Sequence, residues 1–264
     1  MHDDHGVAIV ACTFFVPVHS LAIVIPAFNE EDRLPITLAS IKAAWDSGAM
    51  QGLDLSQVII ADDGSTDATI ASANAFKDRL PIEIITLTKN TGKGAAVRAG
   101  MSRIRSDLVL MYDADGAAPI TEVNTLLKAI ESGADIAIGS RVMNRSTSLV
   151  TMRWHRRFIG RVYHFLGSAL VPGILDTACG CKLFRSDVAR KLFSMQRIDR
   201  FAFDVEVLAL ALRHGYNVVE IPLAWTAVPE SKVRIVRDGI EMLWCLIVLY
   251  SGSLRRLSRK EYRT

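Results

Sequence analysis

The chain has 264 residues, half of them apolar, which is enough for one sizeable core and the layers that cover it. A formal charge of +3 is too small to argue for a nucleic-acid partner, although basic residues gather at Arg153, His155, Arg156, Arg157 and Arg161 and again at Arg255, Arg256, Arg259, Lys260 and Arg263. The cysteines at 12, 179, 181 and 245 lack the spacing and the second ligand pair of a zinc site, and they read as reduced thiols of a cytosolic compartment.

Residues 1–19 read as an extension. The apolar run over 7–18 is broken by Pro17 and preceded by acidic residues, so it lacks the positive start of a signal peptide. No run reaches the roughly 18 apolar residues of a membrane-crossing helix. From residue 21 the chain alternates strand-like and helix-like segments. Strands are predicted over 21–26, 58–61, 82–87, 108–112 and 136–139, and helices over 34–45, 68–76, 95–104 and 121–130. That alternation predicts a mostly parallel, Rossmann-like α/β sheet with helices on both faces. After Arg141 the rhythm changes. A basic, aromatic stretch spans 152–170, a helix is expected over 204–213, and one more strand over 218–221. The reading is one domain over 20–238, with a nucleotide-binding half over about 20–141 and an acceptor-binding half over about 142–238. Residues 239–264 follow as an amphipathic helix and basic tail. The apolar stretch 240–254, with Trp244 and Tyr250, fits a helix lying in a membrane interface; a helix packed on the core with a solvated tail fits it too.

In open α/β sheets, ligands sit outside the carboxyl ends of the strands. Three polar groups fall there: Pro26-Ala27-Phe28-Asn29-Glu30, Asp62-Asp63-Gly64-Ser65-Thr66-Asp67, and Asp113-Ala114-Asp115-Gly116. Two carboxylates one residue apart repel unless a cation or hydrogen bonds compensate them. A divalent ion shared with a substrate diphosphate is one solution. An Asp-rich surface turn is the plainer one. Asp67 reads first as a helix cap before Ala68. Lys89 to Gly94 opens a helix with glycines and favours anion contact, but it is neither a P-loop nor a clean dinucleotide fingerprint. Gly139-Ser140-Arg141 ends the fifth strand, where Arg141 can grip a phosphate by a bidentate fork or form a surface salt bridge. Arg153, Arg156 and Arg157 share one helix face that can meet anionic headgroups or simply be solvated.

In this order, Val24-Ile25-Pro26-Ala27-Phe28-Asn29-Glu30-Glu31, Asp62-Asp63-Gly64-Ser65, Asn90 with Gly92-Lys93-Gly94, Asp113-Ala114-Asp115-Gly116 and Gly139-Ser140-Arg141 resemble the motifs of family 2 glycosyltransferases with the GT-A fold. Asp176-Thr177-Ala178-Cys179-Gly180-Cys181-Lys182-Leu183-Phe184 is similar to the Asp-Thr-Gln-Cys-Gly-Phe-Lys-Leu-Phe of the dolichyl-phosphate β-glucosyltransferase group. Phe203-Asp204-Val205-Glu206, the Trp225 region and Ser231-Lys232 match that group as well. Departures are Ala178 for Gln, Cys181 for Phe, Phe201 for Trp and Glu230 for Gly.

The resemblance implies inverting transfer of a hexose, glucose from UDP-glucose first, onto a polyprenyl or dolichyl phosphate, at the cytoplasmic face of a membrane that the protein meets peripherally. It implies Mg²⁺ or Mn²⁺ held by Asp113 and Asp115, and a nucleotide-sugar site built from Pro26, Ala27, Asn29, Glu30, Asp62, Asp63, Lys93, Asp113, Ala114 and Asp115. Arg141, Arg156 and Lys232 would hold the acceptor phosphate. Asp115, Arg141, Arg156 and Asp204 are the expected catalytic set. Asp204 would act as base toward a hydroxyl acceptor, or else serve structurally by orienting Lys182 or an arginine. Alternatives are a mannose synthase using GDP-mannose, a family 2 transferase acting on a glycan hydroxyl, and a nucleotide-sugar-binding scaffold without catalysis.

Overall fold

The computed structural model describes residues 18–143, 170–226 and Cys245. Seven strands form one sheet: β1 (His19–Ala27), β2 (Leu53–Asp62), β3 (Ile82–Thr86), β4 (Leu108–Tyr112), β5 (Ile136–Ser140), β6 (Cys181–Arg185) and β7 (Val218–Pro222). Their spatial order is β3-β2-β1-β4-β6-β5-β7. β6 runs antiparallel to both neighbours, and every other pairing is parallel. The mostly parallel sheet expected from the alternation is therefore present, with one strand reversed inside it.

β4 and the run from Leu21 to Ala27 of β1 are apolar and buried because both faces of the sheet are covered there. In β1, Leu21, Ile23 and Ile25 face one core layer with Leu34, Leu38 and Ile41 of α1 (Leu34–Asp46) and Leu126, Leu127 and Ile130 of α4 (Val123–Glu131). Ala22 and Val24 face the other layer. There they meet Ala96 and Val97 of α3 (Lys93–Met101), Val188 and Leu192 of α5 (Ser186–Met195), and Val205 and Leu208 of α6 (Phe203–Arg213). A short α2 (Thr69–Asn74) completes the helices.

The predicted helix over 121–130 divides into a 3₁₀ turn, Ile120–Glu122, and α4. The helix predicted over 95–104 starts two residues earlier and stops at Met101. β2 begins five residues before the predicted strand, because Leu53 to Gln57 alternates buried and exposed positions and so lacks an apolar run. β6 and α5 were not anticipated.

The chain leaves β1 toward β2 and β3, then returns to place β4 on the other side of β1. A crevice forms at such a reversal, outside the carboxyl ends. It is bounded by Ala27 at the end of β1 and Asp113 just beyond β4. The reversed β6 adds a second consequence. Cys181 stands opposite Tyr112, so the segment entering β6 arrives at this same edge.

Candidate active site

The first loop is pinned to the second. Asn29 adopts φ 55°, a left-handed conformation that Asn tolerates better than most residues. Its backbone N–H donates to Ser65 Oγ at 2.9 Å, and its side-chain oxygen accepts from Thr66 N–H at 2.8 Å. Glu30 N–H donates to Thr69 Oγ1 at 2.7 Å, while its carboxylate takes both arms of Arg33 at 2.5 and 2.6 Å. Asp67 Oδ1 accepts from Thr69 N–H at 3.0 Å, and its other oxygen takes Glu31 N–H; the N-cap of α2 is Ala68, one residue later than the cap expected at Asp67.

Several residues expected to touch the nucleotide also have partners within the protein. Pro26 and Ala27 are buried inside β1, and the Ala27 carbonyl accepts Asp63 N–H. Both oxygens of the fully buried Asp62 face Ser65 N–H, at 3.2 and 3.3 Å. Asp63 accepts Thr91 N–H at 2.7 Å and Gly92 N–H at 2.8 Å. The anion drawn to the start of α3 is thus the protein's own Asp63. Burial pushes its pKa up, against the two amides and Arg200, which pull it down. Gly92 has φ 126° and a Cβ there would lie 2.5 Å from the Asp199 carbonyl, so this turn requires glycine.

The Asp113–Asp115 loop is held from three sides. Thr37 Oγ1 donates to the Ala114 carbonyl at 2.7 Å, the Tyr112 hydroxyl donates to the Ala118 carbonyl, and Thr226 N–H donates to the Ala117 carbonyl at 2.8 Å. Ala114 is buried, and Asp115 Oδ1 accepts Ala117 N–H at 3.1 Å. Asp113 N–H donates to the Gly180 carbonyl at 3.0 Å.

Lys93, the first residue of α3, reaches Asp113 Oδ1 with its ammonium at 2.7 Å. Apart from this ion contact, the buried oxygen has no hydrogen-bond partner among the described residues. Burial pushes the Asp113 pKa up, but Lys93, Lys182 and Arg141 together bring it below the usual carboxylate value. For Lys93 the signs reverse. Burial pulls its pKa down, and Asp113, Asp204 and Asp115 more than offset that.

Behind Asp113 lies an ion pair that the sequence showed only as an alternative role for Asp204. Lys182 is buried in β6, and its ammonium donates to Asp204 Oδ1 at 2.5 Å and to the Cys179 carbonyl at 2.6 Å. Asp204 thus stands where it can orient Lys182, the second of the two roles expected of it. Cys179 and Cys181 are buried thiols whose pKa burial pushes up, which disfavours the reactive thiolate.

Arg141 uses its fork on the protein itself. Its Nε and Nη2 donate to the two oxygens of Asp176 at 2.7 Å each, and its backbone N–H adds a third bond at 2.9 Å. Asp176 is buried, Arg141 is partly exposed, and the guanidinium carbon lies 5.8 Å from the centre of the Trp225 ring. One edge of the guanidinium, Nε and Nη2, is therefore taken by Asp176, and Nη1 enters none of these bonds. Neither alternative was complete: this is a half-buried pair rather than a surface salt bridge. Asp176 and Gly180 lie in the motif over 176–184 without an assigned role, and Lys182 enters only as a group that Asp204 can orient. The pairs they enter are remote in sequence and close only through the fold.

Arg156, Lys232, the basic face over 153–161 and, Cys245 apart, the helix expected over 240–254 lie outside the described residues. Among the described residues no helix is long and apolar enough to cross a membrane.

A mostly parallel sheet with one reversed strand, bearing Asp113-x-Asp115 at the crevice of its carboxyl edge, is the GT-A arrangement of a glycosyltransferase. Residues 22–193 match the family described as Glycosyl transferase family 2. The chain belongs to that family.

Among curated relatives it is similar to the dolichyl-phosphate β-glucosyltransferase of Homo sapiens, 35% identical over 254 residues that cover 90% of this chain and 78% of the relative. The protein of that name from Saccharomyces cerevisiae is 33% identical, covering 90% and 76%. One from Trichomonas vaginalis is 35% identical, covering 87% and 71%. Among solved structures the fold resembles glucosyl-3-phosphoglycerate synthase from Mycobacterium tuberculosis, in complex with Mn²⁺, UDP and glucosyl-3-phosphoglycerate. The TM-score is 0.63 at 18% identity, covering 89% of this chain and 80% of that one.

Proposed function

We propose that this glycosyltransferase moves glucose from UDP-glucose onto a polyprenyl or dolichyl phosphate with inversion. The observation that carries the reading is similarity along nearly the whole chain to relatives bearing that activity in their names, including the one from Homo sapiens.

A divalent cation, Mg²⁺ or Mn²⁺, fits Asp113 and Asp115. Both offer hard oxygen donors, and Asp113 keeps a buried oxygen poorly satisfied. Among the described residues no third His, Cys, Asp or Glu completes a cage, so the remaining donors would come from the diphosphate and water. When bound, the cation would act as a Lewis acid toward the departing nucleoside diphosphate. Asp62 and Asp63 shape the two loops that line the nucleoside end. Asn29 and Glu30 tie the first loop to the second. Lys93 stands beside the diphosphate position.

An oxygen of the acceptor phosphate attacks the anomeric carbon as the bond to the diphosphate oxygen breaks on the opposite face. A phosphate monoester is already ionised, so no base is required and the protein's work is positioning. The outer edge of Arg141, with Arg156 and Lys232, would receive that phosphate. The commitment of Asp204 to Lys182 favours this reading over a hydroxyl acceptor, which would need a free base. The acceptor lies at a bilayer, so the protein works at the cytoplasmic surface as a peripheral protein. Its contacts there would be the basic face near Arg156 and residues 240–264.

The test supplies labelled UDP-glucose, GDP-mannose and UDP-N-acetylglucosamine separately with polyprenyl phosphate, with and without EDTA. Label from UDP-glucose should enter the organic phase, and EDTA should stop it. Extraction of mannose label alone would establish the mannose synthase, and water-soluble glycan product would establish a hydroxyl acceptor. Absence of turnover with every donor would leave only the binding scaffold.

A further inference from the structure

Lys93 occupies a position that helix electrostatics disfavour. It is the first residue of α3, where the exposed N–H groups already make the end positive. Its ammonium nevertheless turns to Asp113 Oδ1 at 2.7 Å and lies largely out of solvent. The surrounding charges pair off: Lys182 with Asp204, Arg141 with Asp176, and Lys93 with Asp113. At the edge this leaves Asp115 as the carboxylate without a cationic partner among these pairs.

A divalent cation reaching Asp113 from solution must share that oxygen's surroundings with a monovalent one. Like charges at contact distance in a partly buried site repel strongly. A cation that arrives on a nucleoside diphosphate meets a different balance. The diphosphate carries negative charge of its own, and its oxygens give the ammonium an alternative partner as good as the carboxylate.

We propose that Lys93 is a resident counter-ion that keeps Asp113 closed to a free divalent cation and transfers to the phosphates when the cation arrives with the nucleotide. Metal and donor therefore bind as one unit, and each strengthens the other by the same factor, as linkage requires. The inference rests on the reading of Asp113 and Asp115 as the metal carboxylates.

The experiment measures Mn²⁺ binding by the full chain from the loss of the free-ion paramagnetic signal, with and without UDP. For the unaltered chain, Mn²⁺ alone should bind weakly and UDP should tighten it greatly. Lys93→Met keeps the aliphatic stem and removes the charge. It should bind Mn²⁺ alone about tenfold more tightly, as expected when the net charge of a ligand set becomes more negative. The gain conferred by UDP should shrink. Lys93→Arg keeps the charge and should behave as the unaltered chain, and Lys93→Gln repeats the charge loss should the Met variant fail to fold. Asp115→Asn separates the two levels. If it binds Mn²⁺ as well as the unaltered chain, the metal reading fails. If it loses Mn²⁺ while folded Lys93→Met or Lys93→Gln binds free Mn²⁺ no better than before, the metal reading stands and the counter-ion proposal is overturned.

Discussion

Gly180→Ala is a one-carbon change that should disable Asp113 without touching it. The Gly180 backbone does not need a left-handed φ, so its requirement is for space. A Cβ there would lie 1.9 Å from Asp113 Oδ2 and 2.1 Å from its Cγ. Real Cβ contacts stay above 3.0 Å, so something must retreat by roughly 1 Å. The backbone has little freedom to do so. Asp113 N–H is bonded to the Gly180 carbonyl at 3.0 Å, and the next residue, Cys181, is in register with Tyr112. The carboxylate must therefore leave its place. A misplacement near 1 Å costs on the order of 100-fold in turnover, about 2.7 kcal/mol of transition-state stabilisation. Overpacking adds about 1–3 kcal/mol of lost stability. The assays are label transfer into the organic phase at saturating donor, Mn²⁺ titration, and a thermal melt to show that the variant is folded. A folded Gly180→Ala with unaltered turnover and unaltered Mn²⁺ affinity would refute the reasoning.

Lys182→Met leaves Asp204 buried without its partner and should cost about 3–5 kcal/mol by denaturant unfolding, whereas Lys182→Met with Asp204→Leu should recover most of it; a double variant no more stable than the single would show that the pair is not the source of the loss. Acid should act through Asp176. Burial alone would raise its pKa, but the Arg141 guanidinium and backbone N–H hold it below the ordinary value. A carboxylate depressed in the folded state contributes stability that is fully present above its unfolded pKa of about 3.9 and is lost as pH falls through the folded value. Unfolding free energy should therefore decline below about pH 4. Asp176→Asn should flatten that decline, and an unchanged slope would sink the assignment.

Much of the fold was legible because parallel strands covered on both faces announce themselves as short apolar runs, and β1 and β4 do so plainly. β6 escaped for a physical reason. Its second residue is Lys182, and a lysine inside a five-residue run argues against a buried strand until its partner is known. That partner, Asp204, is 22 residues away and on a different element. Loop residues were legible as a group and less so one by one. Asp62 and Asp63 were expected to face a nucleoside, since two acidic residues at a strand end suggest a ligand. The structure turns Asp63 onto the amides of Thr91 and Gly92, where it closes one loop on another. Arg141 was placed on the right edge, but the 35 residues separating it from Asp176 hid the fact that its fork was spoken for.

These pairings change how the site must work. A guanidinium free to swing can search for a phosphate, but Arg141 is held by three bonds to Asp176 and faces Trp225, so its outer edge is fixed in advance. Asp176 opens the segment that carries Gly180 against Asp113 and then enters β6, where Lys182 anchors the Cys179 carbonyl. One reversed strand and its lead-in therefore touch Asp113, proposed for the donor side, at one end and Arg141, proposed for the acceptor side, at the other. Their separation is set by the pairing of β6 with β4 and β5 rather than by mobile side chains. For a reaction in which an already ionised acceptor needs no base, that fixed spacing is the contribution the protein can make. It also explains why a reversed strand is tolerated in an otherwise parallel region of the sheet. A parallel β6 would bring its entering segment to the opposite edge, away from Asp113.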